Sequence, residues 1–221
     1  MKKLLMASAA TLALTGAASA EDVKLGVLIG FTGPIESLTS HMAAAAEMAR
    51  YFAQLGHQDI AFISGPQRYK SSTERMEGFK LGLSAYGITL NAERIMEGNN
   101  TYETGIECAR SLLSQTPLPT AIFANNDQMA AGVLKVAHQM GIAIPEQLSV
   151  AGFDDNLLAS RVIPALTTIR RPVRQMAQLA TTKMIMVIEQ NDKAAQQVAA
   201  KVAPTLVVRE STAQAAKAAA S

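Results

Sequence analysis

Short apolar runs alternate with longer stretches of helical spacing along this chain, and glycine, proline or asparagine punctuates them. Val23–Ile29 alternates weakly and then runs apolar, as a buried strand does. Gly30, Gly33 and Pro34 break it. Ser37 or Thr39 is placed to cap a helix running from Met42 through the alanines to about Leu55, with Gly56 as its stop. The same unit then repeats. Strands are expected at Asp59–Ile63, Arg94–Met96, Thr120–Ala124 and Ser149–Ala151, with a terminal one at Pro204–Arg209. Helices are expected at Ser72–Ala85, Tyr102–Ser114, Gln128–Met140 and Val173–Gln190.

Such regular alternation predicts an α/β protein whose parallel sheet is covered by helices on both faces. In sheets of this kind the ligand crevice lies beyond the carboxyl ends of the strands. The polar clusters fall there: Gly65 to Arg75, Asn125 to Asp127, and Asp154 with Asp155.

Composition narrows the class. Of 221 residues, 49% are apolar and 17% charged, which suits one or two packed lobes. Lys2 and Lys3, the stretch Leu4–Ala17 and Ala18-Ser19-Ala20 have the order of a cleavable secretory signal. Its apolar run falls short of the roughly twenty residues a membrane span needs. Cleavage after Ala20 would leave 20 − 2 = 18 basic against 18 acidic residues, and a periplasmic location is expected. That balance offers no nucleic-acid footprint. Cys108 is the only cysteine and sits in a helical pattern, so it reads as a core thiol. The tail from Ala213 is alanine-rich and is expected to fray.

The chain lacks G-x-S-x-G, the Walker G-x-x-x-x-G-K-[ST] and a G-x-G-x-x-G after the first strand, so the reading is binding without catalysis. His41, His57 and His138 are isolated from cysteine and read as structural or surface residues; no metal or cofactor is expected. A sugar needs planar, multidentate partners for its hydroxyls and apolar surface beneath its ring. Arg75, Asn126 and Asp154 are the right types at the right strand ends, with Ser71, Asn100 and Phe153 as further candidate contacts. Capping and turn formation are the bland alternative for Asp154 and Asp155.

Several stretches carry a family resemblance: Leu55-Gly-His57 to Gly65-Pro66, Arg75-Met-Glu-Gly78-Phe79, Phe123-Ala-Asn-Asn-Asp-Gln-Met129, Leu148 to Asp155, Pro164 to Arg170, and Leu206 to Ser211. In order and spacing they resemble the effector-binding core of LacI/GalR-family regulators over about residues 50–213. The resemblance implies the type 1 periplasmic-binding fold, with Arg75 gripping ligand hydroxyls and Asn126 and Asp154 as amide and carboxylate partners. Where that family often places an aromatic ring after Gly98, this chain has Asn100, and Tyr102 is the nearest substitute. Residues 21–37 instead resemble the start of periplasmic receptors for branched-chain amino acids, which feed ATP-driven importers, and that resemblance implies Ser37 and Thr39 as ligand contacts at the loop and helix start.

Together these readings predict a signal peptide at 1–20, a remnant of a truncated N-terminal lobe at 21–56, a near-complete ligand-binding lobe at 57–211 and a disordered tail at 212–221. The leading expectation is an exported solute-binding protein that presents a sugar-like ligand to ABC importer membrane subunits, with a homodimer as a further expected assembly. Two alternatives stand beside it: the effector domain of a LacI-type regulator without its DNA-binding element, and a non-functional chimera of two gene fragments.

Overall fold

The computed structural model describes residues 41–189 and 202–215. The signal peptide, the strand at Val23–Ile29, Ser37 and Thr39 lie outside them. The elements are α1 (His41–Gln54), β1 (Ile60–Ser64), α2 (Lys70–Ser84), a 3₁₀ turn (Ala92–Arg94), β2 (Ile95–Glu97), α3 (Tyr102–Leu113), β3 (Ala121–Ala124), α4 (Asp127–Gln139), β4 (Ser149–Asp154), β5 (Thr167–Arg170), α5 (Val173–Ile188) and β6 (Thr205–Val207).

The strands form one sheet in the order β2-β1-β3-β4-β5-β6. All pairings are parallel except β5 with β6. The expected α/β sheet is therefore present, with one antiparallel edge. Alternate strand residues feed two cores, as the two-residue period requires. Ala61, Ile63, Ile122, Ala124 and Val150 pack under α3 and α4 with Leu112, Met129 and Val133. Ile60, Phe62, Phe123, Ala151 and Phe153 face α1 and α2 with Met48, Phe52, Phe79 and Leu83. Phe62, Phe79 and Phe123 sit ring to ring, with centroids 4.9–5.4 Å apart. Each such pair adds about 0.5–1.5 kcal/mol beyond the area it buries.

Placing α1 with an N-terminal remnant, across a boundary at 56–57, does not fit this packing. Its Met48 and Phe52 are fully buried in the same core as β1 and α2. The alanines of α1 explain how closely the helix approaches. A Cβ on Gly78 of α2 would lie 2.1 Å from the backbone oxygen of Met42.

Two strand expectations change. β4 runs on to Asp154 instead of stopping at Ala151, and β5 had not been expected at all. The tail is also tied down as far as it is described. Ala213 donates its N–H to Ser149 Oγ, and Ala215 donates to the Leu55 carbonyl. His57 is buried beside this junction, 3.0 Å from Thr120 Oγ1 and 3.1 Å from both Ser149 Oγ and the Ala213 carbonyl. α5 buries none of its residues and leaves Met184, Val187 and Ile188 exposed. Among the described residues no helix is long and apolar enough to cross a membrane.

Candidate functional site

The carboxyl ends of β1, β2, β3, β4 and β5 meet at a cleft of about 350 Å³. It is lined by Tyr69, Ser71, Arg75, Asn99, Asn100, Asn125, Asn126, Asp154 and Arg171. Each residue arrives by a local rule. β1 stops at Gly65, and the chain then turns into α2, which carries Arg75 inward from its second turn. A side chain on Gly65 would place its Cβ 2.4 Å from Asn125 Nδ2 and 2.6 Å from Asn100 Oδ1, so glycine is what allows these amides to meet. Asn125 Nδ2 donates to Asn100 Oδ1 at 2.7 Å, and Asn126 Nδ2 donates to the Asn100 carbonyl at 2.8 Å. Asn126 Oδ1 meanwhile accepts from the Met129 N–H at 2.9 Å and caps α4.

Arg75 is 5% exposed. Its guanidinium lies 3.8 Å above the centre of the Phe153 ring and donates through Nη1 to the Asn125 carbonyl. Burial, opposed by Asp154, lowers its pKa to about 10, so it stays cationic at neutral pH. Asp154 lies between two guanidiniums, its Oδ1 3.8 Å from Arg75 Nη2 and 3.4 Å from Arg171 Nε. Burial pushes its carboxyl up, against the pull of Arg75 and Arg171. Asp155 is turned away and held by Arg170 and Arg209. Despite the cost of burial, their hydrogen bonds and charges depress its pKa.

Asp127 is fully buried and acts as a brace. Its Oδ1 accepts from Thr168 Oγ1 at 2.6 Å and its Oδ2 accepts from the Asn156 N–H at 2.9 Å. Burial pushes its pKa to about 7.

Three described non-glycine residues have positive φ: Asn100 at 70°, Asp154 at 116° and Asp155 at 55°. Asn100 and Asp154 line the cleft and Asp155 adjoins it, where strain of about 1–3 kcal/mol per residue is tolerated for the sake of geometry. Four buried side-chain atoms lack a hydrogen-bond partner among the described residues: Arg75 Nε, Asn125 Oδ1, Asp154 Oδ1 and Arg171 Nε. All four belong to residues lining this one cleft.

Of the expected contacts, Ser71, Arg75, Asn100, Asn126 and Asp154 line the cleft. Phe153 lies beneath Arg75 as its apolar support. Tyr102 does not replace the missing aromatic, since its ring faces Lys135 of α4 with Nζ 5.7 Å from the centroid. The ring that lines the cleft is Tyr69, which lies within the Gly65–Arg75 cluster but was not singled out in the sequence, and Asn99 and Arg171 were missed altogether. Arg171 was findable only by recognising β5, whose end it follows. His41, read as structural, stands beside the site with Nδ1 3.5 Å from Arg75 Nη2.

The sequence profile of the periplasmic binding protein-like domain matches residues 49–212. The probable HTH-type transcriptional repressor ExuR of Bacillus subtilis is 34% identical over 161 residues, covering 73% of this chain and 48% of that protein. The HTH-type transcriptional regulator AscG of Escherichia coli is 39% identical over 137 residues, covering 62% of this chain and 41% of that one. The crystal structure of a sugar-binding LacI-family regulator from Escherichia coli, complexed with phosphate, superposes with a TM-score of 0.74 at 33% identity. That alignment covers 80% of this chain and 62% of the other. The chain spans about half the length of the curated relatives it matches. These relatives are transcriptional regulators, which overturns the expectation of a solute receptor serving an ABC importer. That expectation came from the signal-like residues 1–20 and from residues 21–37, both outside the matched region. With residues 49–212 matched, this chain belongs to the periplasmic binding protein-like domain family.

Proposed function

We propose that this chain is the effector-binding part of a LacI-type transcriptional regulator, and that its cleft binds a small polyhydroxyl ligand without converting it. The four unpartnered polar atoms carry this reading. Two are donors and two are acceptors. Leaving a buried polar group unpaired costs about 1–3 kcal/mol, and a ligand with hydroxyls can both donate and accept. Arg75 over Phe153 gives a rigid cation with an apolar floor, and Tyr69 supplies an aromatic wall. The proposal covers effector binding alone. The match spans about half the length of the HTH-type relatives.

The test is a thermal melt of the chain with a panel of sugars. A ligand at about 100 times its Kd adds about 2.7 kcal/mol and raises the midpoint measurably. Arg75→Ala is expected to abolish that shift, because it removes the cation that anchors the cleft. A shift that survives Arg75→Ala would place the ligand elsewhere. Cellular location is a separate proposal resting on residues 1–20. N-terminal sequencing of the purified chain distinguishes a start at Glu21, after export, from one at Met1.

A further inference from the structure

The charge in the cleft does not balance, and this names the ligand class more closely; the inference rests on the effector-binding reading above. The charged groups near the cleft can be followed among the described residues. Asp155 is taken by Arg170 and Arg209. Asp127 lies behind the lining, hydrogen-bonded by Thr168 and the Asn156 amide, and burial raises its pKa to about 7. Glu74 on α2 pairs with Lys70 at 3.8 Å. Among the described residues, the charged groups that line the cleft itself are two guanidiniums, Arg75 and Arg171, against one carboxylate, Asp154.

The hydrogen bonding is equally lopsided. Asp154 Oδ1 approaches both arginines but bonds neither, and the Nε of each arginine is a buried donor without an acceptor. Arg75 is more than nine-tenths buried, so water does not compensate it. Arg171 leads directly into α5, whose N-cap, Pro172, offers no side-chain acceptor. The first turn of α5 holds no acidic residue. The positive end of the helix dipole thus adds to the two guanidiniums. Guanidinium forks fit carboxylate and phosphate oxygens, and those bonds are about twice as strong as neutral ones.

We propose that the cleft selects a polyhydroxyl ligand bearing a carboxylate or phosphate, a sugar acid or sugar phosphate, and that Arg171 distinguishes it from the neutral sugar. The anionic group lies between Arg75 and Arg171. Ligand hydroxyls donate to Asp154 Oδ1 and Asn125 Oδ1. A neutral hexose could satisfy the two acceptors but would leave the extra positive charge uncompensated.

The experiment titrates the full chain calorimetrically with glucose, galactose, the matching hexuronates and the matching hexose 6-phosphates. The expected result is that a uronate or a phosphate binds about tenfold or more tightly than its parent hexose, the gain of one charged hydrogen bond. Binding of the uronate alone names the carboxylate, and binding of the phosphate alone names the phosphate. Arg171→Gln should reduce the ratio of anionic to neutral affinity about tenfold, with Arg171→Lys keeping part of it. Raising the salt concentration should weaken binding of the anionic ligand to the unaltered chain more than that of the hexose, a measurement that needs no variant to fold. A parent hexose bound as tightly as its anionic derivative, or an unchanged ratio in Arg171→Gln, overturns this inference and leaves the proposed function standing. Failure of every panel member to bind removes both.

Discussion

At the scale of single residues, His41 ties acidity to the site. It is buried at the start of α1 with its ring centroid 5.9 Å from that of Phe153. Arg75 can only donate, so Nδ1 must be the acceptor and Nε2 carries the proton. Burial first, then the charges of Arg75 and Arg171, lower its pKa from 6.5 to about 3. The unfolded chain therefore binds a proton that the folded chain refuses. Stability from this residue is complete above pH 6.5 and falls by about 1.4 kcal/mol for each pH unit between 6.5 and 3. Asp127 acts with the opposite sign. Its pKa is raised from 3.8 to about 7, so its share of stability is lost as pH rises through that range. Denaturant titrations of the native chain and His41→Gln at several pH values isolate the histidine. The native chain should lose stability relative to the variant as pH falls below 6.5. The sequence marked Arg75, Asn126 and Asp154 because their types and strand-end positions suit a ligand. It gave no sign of His41, since nothing local says which side chain a histidine at a helix start will meet.

At the scale of elements, the helices were the most legible, because their apolar positions recur at helical spacing over a dozen residues or more. β5 was missed because Thr167–Arg170 is four residues long with two threonines and an arginine. Its burial comes from neighbours β4 and β6, which a local window does not contain. Losing β5 also hid Arg171. β4 was read short because Gly152 looked like a break, whereas here it continues the strand past the Asp127 carboxylate, whose Oδ1 a Cβ would meet at 2.5 Å. The contact of α1 with α2 makes a sharper statement. Gly78→Ala forces a methyl against the Met42 backbone, which the helix cannot yield without moving. It should cost about 1–3 kcal/mol in chemical denaturation, whereas a glycine-to-alanine change in an unobstructed helix would stabilise it.

At the scale of the whole molecule, the chain is closed by its own last described residues. The Ser211 carbonyl accepts from Val150 N–H at 2.8 Å, Ser211 Oγ donates to the Val150 carbonyl at 2.6 Å and accepts from Thr167 N–H at 2.8 Å. Thr212 Oγ1 lies 2.9 Å from both Tyr51 Oη and Thr167 Oγ1, and Ala215 reaches back to Leu55. Deleting the residues after Glu210 would strand buried backbone groups of β4 and β5. With each orphaned group costing about 1–3 kcal/mol, the truncated chain should lose at least about 3 kcal/mol, read as a lower denaturation midpoint. As far as Ala215 the expected fraying does not occur, since these residues are held through backbone groups, which composition does not report, and residues 216–221 lie outside the described ones. The cleft depends on the same closure. It draws residues that follow β1, β2, β3 and β5, and the last residue of β4, so no contiguous fragment shorter than about Tyr69 to Arg171 contains it. A chain with one strand out of register would bind nothing, not bind weakly. The stoichiometry of a ligand titration therefore counts correctly assembled molecules, and an endpoint below one ligand per chain gives the misassembled fraction directly.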